Sequence, residues 1–506
     1  MKYFFMAALA LMTAACSNDD NDILAPAEQP ANNMITITAK LAPKSGSAQT
    51  RTLSDQTTYI KAEWAQNEQL KIISANGYPA TANIDAVDGS GVATISFTID
   101  AAAKGKDCTI IYPATAAVTE SAGVYTALPM TAQTGTLTND LDVRIGKGTI
   151  TDEATPQLEV TTQPAAQFAI WKLTTPSAKN LCIMANGVLI AEATLASAGT
   201  EFYVAVPAVD SKTVAVVATD ESSNCWSFSK AGVSLVAGKY YQSSHTMTAL
   251  GTESSADVYK ITGTVGGQTI DAGKTVVLSG VNISDGQIAC SGNANIILMG
   301  TNSVTAPDNK AAIKIGGSST TLTITGSGSL TATGGRFGAG IGTDYNGSGG
   351  NIVINGGSVT ANGGDYSAGI GTGRAGNATN TCGDITINGG TVSAQGVNGG
   401  AGIGTGLSSS ASNTCGAITI GTGVIRVTAN KSSISGKAPA PNSIGKGRIS
   451  GNGTQNCSTI TFGSAQVFNG TDWSPSPMVA GTYGGLTLAF TTTTNTDDTW
   501  TLTPAP

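Results

Sequence analysis

Short segments in which hydrophobic and polar residues alternate occur from about residue 34 to residue 250, beginning with Met34–Leu41. A period of two places successive side chains on opposite faces of a β-strand, and turn residues such as Asn76-Gly77 separate the segments. Two sets of segments predict two β-sandwich domains, over residues 34–145 and 146–252. The predicted strands are Met34–Leu41, Tyr59–Trp64, Gln69–Ser74, Ala93–Ile99 and Cys108–Tyr112, followed by Gln167–Leu173, Leu181–Met184, Glu201–Val206, Thr213–Ala218, Cys225–Phe228 and Tyr240–Thr248.

From residue 257 onward the pattern becomes repetitive. The isoleucine of an Ala-Gly-Ile-Gly motif stands at positions 341, 370 and 403, spacings of 29 and 33 residues, and two further strand motifs recur with it. A unit of three short strands cannot bury its hydrophobic face alone, but stacked units form a continuous core. Residues 257–463 are therefore predicted to form a parallel β-helix of five or six coils with three strands per coil. Residues 464–506 are predicted to form a β cap, which completes an all-β chain.

Composition narrows the possible functions. The chain has 506 residues, of which 64 are glycine and 12% are charged, with a net charge of −7 and a pI of about 4.8. Without a basic patch, nucleic acid is not an expected partner. A single histidine, His245, argues against histidine-based metal sites and Ser-His-Asp catalysis. We therefore expect no metal and no cofactor.

The N-terminus has the pattern of a targeting signal. A ten-residue apolar run, Tyr3–Met12, is too short to span a membrane and precedes Thr13-Ala14-Ala15-Cys16. This tetrapeptide resembles a bacterial lipobox, which implies that residues 1–15 are removed between Ala15 and Cys16 and that Cys16 is acylated. An ordinary signal peptide with a coincidental cysteine is the alternative. Residues 16–33 are predicted to be a tether.

The acidic segment Ser17–Asp22 resembles the tag that directs Bacteroidota lipoproteins to the outer face of the outer membrane. This resemblance implies a protein that is anchored in the outer membrane through the Cys16 lipid and exposed at the cell surface. A solvated acidic linker is the alternative interpretation of the same residues.

Residues 34–252 resemble the fimbrillin-like pilin and adhesin lipoproteins of Bacteroidota. The resemblance rests on the order and spacing of several short motifs, namely Thr50-Arg51-Thr52, Ala62-Glu63-Trp64, Phe202-Tyr203-Val204-Ala205-Val206-Pro207 and Ala237-Gly238-Lys239-Tyr240-Tyr241. It implies cleavage between Arg51 and Thr52, release of the first strand, and strand exchange with other fimbrial subunits. Alternatively, Arg51 is only a polar residue at a strand edge. Because about 250 residues follow the second sandwich, a tip or accessory position is expected rather than a repeating shaft position.

The repeat region resembles Gly-Ile-Gly β-helices of gut-bacterial surface proteins, including carbohydrate-binding ones. Phe337 and Tyr366 occupy equivalent positions in adjacent coils, and Tyr345 lies in the next loop. With nearby charged residues these rings form a candidate binding site for a host or dietary glycan or for a protein loop. The alternative is that the rings only cover the edge of the core. The charged residues of the candidate site are Arg336, Asp344, Asp365 and Arg374.

Catalysis has little support in the sequence. Residues 257–463 contain seven aspartates and no glutamate, and no two of these aspartates are adjacent, whereas glycosidases need two carboxylates on either side of the scissile bond. The predicted function is cell adhesion, without enzymatic activity, as a fimbrial tip or accessory subunit. The alternatives are a glycan-binding surface lipoprotein outside any pilus and, third, a polysaccharide lyase or hydrolase.

Overall fold

The computed structural model confirms the all-β fold class. It describes residues 34–42, 54–55, 60–61, 63–116, 118–121, 124–127, 133–220, 222, 224–252, 254, 256–432, 442–474, 476, 478–493 and 497–505. Among these residues there is no α-helix, and the only helical elements are the 3-10 turns Ala101–Ala103 and Asn139–Leu141. The predicted lipidation and processing residues Ala15, Cys16, Arg51 and Thr52 lie outside the described residues.

The first domain is one antiparallel sheet of seven strands around a hydrophobic core that includes Trp64, Ile72 and Ile95. A single parallel bridge between Thr38 of the first strand and Gln157, which immediately precedes the last strand, brings the two edges of the sheet together. The sheet continues to Ala166, past the boundary at residue 145 that the sequence pattern indicated. The strands in spatial order are Met34–Leu41, Ala93–Asp100, Pro79–Val87, Gln69–Ser74, Asp107–Tyr112, Arg144–Ile150 and Leu158–Ala166, with the hairpins Ser54–Asp55/Ile60–Lys61 and Val118–Ser121/Val124–Ala127 beside them.

The second domain is organised around one long strand, Phe168–Ala185, which replaces two separate predicted strands. Its first half pairs in parallel with Tyr240–Ser243 and its second half pairs antiparallel with Val209–Thr219, so one strand serves two sets of neighbours. Val188–Pro207 pairs with both halves. Cys225–Leu235 and Thr248–Ala249 complete the sheet.

The third domain is the predicted parallel β-helix with three strands per coil. The ladder that contains the Gly-Ile-Gly motifs has seven strands, one or two coils more than the sequence indicated, because the first coils lack that motif. The ladder strands are Gln268–Ile270, Ile288–Cys290, Ile313–Lys314, Ile341–Gly342, Ile370–Gly371, Ile403–Gly404 and Ile444–Gly445.

Two further ladders form the other faces of the β-helix and share their first strands, Val258–Thr264 and Thr275–Ile283. One continues through Ala294–Met299, Thr321–Gly326, Asn351–Ile354, Ile385–Ile387, Ile418–Ile420 and Ile460–Phe462. The other continues through Thr301–Thr305, Ser329–Thr333, Ser358–Asn362, Gly390–Gln395 and Val424–Asn430. A short fourth ladder consists of Asn380–Cys382, Ser412–Cys415 and Thr454–Cys457.

Coils approach one another closely at the glycines of the repeat. Gly371 has a φ of 129°, and a Cβ added there would lie 1.9 Å from the carbonyl oxygen of Gly404 in the next coil. Only glycine tolerates both the conformation and the contact. Its neighbour Ile370 is fully buried and stacks between Ile341 and Ile403 in the core.

The far end of the β-helix is covered by the C-terminal strands, and the second domain packs against the side of its first coils. At the far end Asp497–Pro504 pairs antiparallel with Val424–Asn430, and Trp500 and Leu502 join the β-helix core. This pairing occupies a strand edge that would otherwise expose unpaired backbone groups. The remaining strands of the cap are Ala465–Phe468, Gly481–Tyr483 and Leu486–Thr493.

At the near end the second domain packs against the outward face of the first coils. Val277, Ile297 and Met299 point away from the β-helix core and are buried against Met184 and Val217. Burial on both faces explains why Val276–Leu278 and Ile296–Met299 are continuously hydrophobic, whereas later strands such as Thr321–Ile324 alternate. This interface was not predicted from the sequence, although the unbroken hydrophobic runs are its signal.

This interface also buries Glu192 of the second domain. Its carboxylate accepts a short hydrogen bond from the Thr325 hydroxyl and a bond from the Gly326 amide of the β-helix. Burial nevertheless dominates and raises the pKa of Glu192 to about 7. The interface therefore holds a carboxyl group that prefers to be protonated.

We predict that the protein is more stable to heat at pH 5.5 than at pH 8. A glutamate whose pKa is about 7 when folded and about 4.5 when unfolded stabilises the fold below pH 4.5 and loses this contribution as pH rises through 7. Glu192→Gln should reduce this pH dependence, whereas the exposed Glu159→Gln should preserve it. Thermal unfolding at both pH values measures the effect, and an unchanged difference between the two pH values in Glu192→Gln would contradict it.

Candidate functional site

The candidate site lies where two recurring loops of successive coils meet. In each coil one loop supplies a residue that we call the turn position, and the other loop supplies a residue that we call the insert position. The backbone amide at an insert position donates a hydrogen bond to the backbone carbonyl at a turn position, which joins the two loops. These bonds run from Tyr345 N to Asn309 O at 3.0 Å, from Arg374 N to Phe337 O at 3.0 Å, and from Leu407 N to Tyr366 O at 2.7 Å. The turn column is thus Asn309, Phe337, Tyr366 and Gly399, where the last pair is Arg448 N to Gly399 O at 2.8 Å, and the insert column is Tyr345, Arg374, Leu407 and Arg448.

All four residues of the turn column have a left-handed backbone. Their φ angles are 66° at Asn309, 69° at Phe337, 67° at Tyr366 and 99° at Gly399. Asparagine and glycine tolerate this conformation, but for a large side chain it costs about 1–2 kcal/mol. The two outer coils therefore have residues that suit the backbone, and the two middle coils have aromatic residues that do not. The turn geometry alone does not account for Phe337 and Tyr366.

The three predicted aromatic residues form one cluster. The ring centroids of Phe337 and Tyr366 are 5.8 Å apart, and those of Phe337 and Tyr345 are 5.3 Å apart, with tilts of 37° and 39°. All three rings are half-buried. Among the described residues neither tyrosine hydroxyl has a hydrogen-bond partner, so both hydroxyls are available to a ligand. The predicted proximity of these side chains is confirmed.

Two guanidinium groups lie against the Phe337 ring. Arg336 Cζ is 4.6 Å and Arg374 Cζ 4.7 Å from its centroid, and Arg374 is also 5.2 Å from that of Tyr366. Cation–π contacts of this kind orient the arginines and leave part of their hydrogen-bonding capacity unused. The Nε and Nη2 atoms of Arg374 donate to the Ser409 hydroxyl at 3.3 and 3.0 Å, which holds Arg374 in place.

Asp365 is engaged on two sides. Its Oδ2 is 3.9 Å from Arg336 Nε, a long contact between side chains that are 44% and 58% exposed. Its Oδ1 accepts a hydrogen bond of 2.9 Å from Asn398 Nδ2 in the next coil. The cross-coil pair of Arg336 and Asp365 is therefore present but weak, since exposed pairs contribute little to stability.

Asp344 is part of the structural support of the site. Its side chain is 11% exposed, and its Oδ2 lies 3.2 Å from Lys310 Nζ and 3.5 Å from Lys314 Nζ. Its Oδ1 accepts hydrogen bonds from the Ala311 amide and from Gln287 Nε2. Both oxygens are thus occupied by protein groups from earlier coils.

A buried polar ladder, which sequence reasoning missed, fixes the inserts. The threonine after each Gly-Ile-Gly motif donates to a side-chain oxygen across the coil, in the pairs Thr343–Asn380, Thr372–Asn413 and Thr405–Gln455, all at 2.6 Å. The same hydroxyls accept from the amides of Gly373, Gly406 and Gly447. The recurrence of threonine at this position was the available sequence signal. Because buried polar groups must be paired, the ladder holds the insert backbone that carries Arg374.

The cysteines are structural. All seven described cysteines are buried, and none of them forms a disulfide. Cys382, Cys415 and Cys457 stack in register, and burial raises the pKa of Cys382 to about 12. Within the described part of the chain, no group of three or more His, Cys, Asp or Glu residues is arranged to hold a metal. No helix there is long and apolar enough to span a membrane.

Comparison with known families identifies the repeats. A family described as Beta helix repeat matches residues 322–345, 352–374 and 385–407, the coils that carry the aromatic cluster and Arg374. No curated protein and no solved structure matches the chain. The matched segments define the C-terminal domain as a β-helix repeat solenoid, a class that includes both enzymes and non-enzymes and that is typical of surface or binding modules.

We predict that Phe337→Asn combined with Tyr366→Asn leaves the fold nearly as stable as the wild type. Asparagine suits the left-handed turn and stands at the equivalent position 309, so relief of backbone strain offsets the lost ring contacts. The expected change is below about 1 kcal/mol per site, measured by chemical denaturation. A loss of about 3–5 kcal/mol per site, as for removal of a core aromatic residue, would show that the rings are structural.

Proposed function

We propose that this protein is a surface lipoprotein that mediates adhesion by binding saccharides through the aromatic cluster of its β-helix. The observation that carries the proposal is the left-handed backbone of Phe337 and Tyr366, where the flanking coils have Asn309 and Gly399. Residues held in an unfavourable conformation are concentrated at functional sites. The backbone strain at these two positions is understandable if the rings contact a ligand.

The chemistry of the cluster suits a sugar. Half-buried aromatic rings offer flat apolar surfaces to the C–H face of a pyranose, at a low cost in side-chain entropy. The Tyr345 and Tyr366 hydroxyls and the two guanidinium groups can form hydrogen bonds with sugar hydroxyls. A mostly apolar surface with a few convergent polar groups is the usual composition of a ligand site.

Binding is a better account of this site than cleavage. Asp344 is occupied by two lysines and two further donors, and Asp365 is bound to Asn398. Glycoside hydrolysis needs one carboxyl group as the acid and a second as the base or nucleophile. The two carboxylates of the candidate site are committed to other contacts, so we propose a non-enzymatic role.

The anchor remains part of the proposal. The lipobox-like Ala15-Cys16 and the acidic segment after it support attachment to the outer membrane through a lipid on Cys16. The β-helix is the domain furthest along the chain from this cysteine. In this arrangement the tether and the first two domains separate the binding site from the lipid.

A specific observation favours a second role as a fimbrial tip or accessory subunit. Met34–Leu41 forms an eight-residue ladder with Ala93–Asp100, but a single bridge joins it to the last strand of the sheet. Removal of such a strand would leave a long groove that another strand could fill. This supports strand exchange after cleavage between Arg51 and Thr52, as the fimbrillin-like resemblance implies.

We predict that the protein binds glycans and that Phe337→Asn with Tyr366→Asn abolishes binding. The assay is a glycan array probed with the purified chain and with cells that display it. Tyr78→Asn, which removes an exposed ring from the first domain, is the matched control and should bind like the wild type. Equal binding by the double variant, or no glycan binding by the wild type, would refute the proposed site.

The anchor and the fimbrial role make a separate prediction about the N-terminus. Mass spectrometry of the protein isolated from cells should find an acylated Cys16 as the first residue if the chain remains a lipoprotein. A fraction that begins at Thr52, lost in Arg51→Ala, is expected if strand exchange occurs. A mature chain without acylation would contradict the anchor, and the absence of chains beginning at Thr52 in assembled fibres would contradict the fimbrial role.

A further inference from the structure

We propose that the aromatic cluster recognises anionic saccharides, with Arg336 and Arg374 binding the carboxylate or sulfate groups of the polymer. The inference rests on the proposed saccharide-binding function and adds the chemical class of the ligand. It depends on the N–H groups of the two guanidinium groups that form no hydrogen bond within the described part of the protein.

Neither arginine is neutralised by a close carboxylate. Within the described residues Arg374 contacts no carboxylate within 4 Å, and its side-chain hydrogen bonds go to the neutral Ser409 hydroxyl. The one acidic contact of Arg336 is the 3.9 Å approach to Asp365, and its side chain is 58% exposed. Among described residues the Nη1 of Arg374 and both Nη atoms of Arg336 have no hydrogen-bond partner. A planar guanidinium with free N–H groups binds carboxylates and sulfates strongly.

The surroundings add positive charge. Lys310 and Lys314 both contact the single carboxylate of Asp344. The negative charge of Asp344 therefore neutralises only one of the two lysine charges. With Arg336 and Arg374 the cluster has four cations, and its carboxylates are Asp344 and Asp365 together with Asp308 of the preceding turn. Four cations therefore stand against three carboxylates. The chain as a whole has a net charge of −7. A local cationic excess on an acidic protein favours an anionic ligand at this position.

The cationic column continues beyond the rings. Arg448 is two positions after Arg374 in the insert column, a distance of roughly 10 Å at the usual spacing of stacked strands. It is 8% exposed, and its Nε has no hydrogen-bond partner among the described residues. Because Arg448 lies beneath the surface, it does not contact a ligand directly, but its charge adds to the positive potential behind the rings.

The test uses polymers that differ only in charge. The full chain is titrated with polygalacturonate and with its fully methyl-esterified form, and with dextran sulfate and unmodified dextran. We expect at least one acidic polymer to bind more tightly than its neutral counterpart by at least about tenfold at 50 mM NaCl. This preference should shrink at 0.5 M NaCl because salt screens exposed charges.

Two variants separate the arginines from overall charge. Arg336→Gln with Arg374→Gln should lower the affinity for the acidic polymer to that for its neutral form, whereas the exposed Arg426→Gln should leave the preference intact. Thermal unfolding confirms that each variant is folded. Equal binding of acidic and neutral polymers, lost in Phe337→Asn with Tyr366→Asn, would overturn this inference alone. No binding of any polymer would overturn the proposed function as well.

Discussion

Coil-on-coil stacking is the constraint on which the structure depends. Each coil pairs in parallel register with its neighbours, and the glycines after the buried isoleucines allow carbonyl groups of the next coil to approach where no Cβ could fit. The turn conformation is therefore inherited from coil to coil, and Phe337 and Tyr366 adopt the left-handed backbone that Asn309 and Gly399 adopt more readily. The same stacking that forms the core thus fixes the site.

Periodicity explains what could be predicted from the sequence. In a stacked solenoid, two residues that lie one repeat apart in the sequence are neighbours in space. Equivalent positions therefore predicted the contact of Phe337 with Tyr366. The number of coils was underestimated because the first coils have Gln268–Ile270 and Ile288–Cys290 in place of the Gly-Ile-Gly motif. Their continuous hydrophobic strands serve a second interface, which weakens the alternating pattern.

Features that depend on contacts between different loops were not predictable in this way. Asp344 and Arg374 both looked like ligand residues from their position near the rings. The structure ties the first to Lys310 and Lys314, and it places the second over two rings. Glu192 likewise has no sequence signal, since its partner Thr325 is contributed by another domain. Such assignments need side-chain direction, which one-dimensional spacing does not contain.

The aromatic cluster lies in the middle coils, which are the coils that the neighbouring domain and the C-terminal strands leave uncovered. The second domain packs on the first coils, and the C-terminal strands pair with the last ones. The middle coils keep their loops accessible, and the polar ladder from Thr343 to Gln455 holds the insert backbone there. Rigid loops lose little entropy on binding, so three fixed rings and two oriented guanidinium groups form a preorganised surface. Strain of about 1–2 kcal/mol at each of two positions is a small cost for a fold that many stacked strands determine.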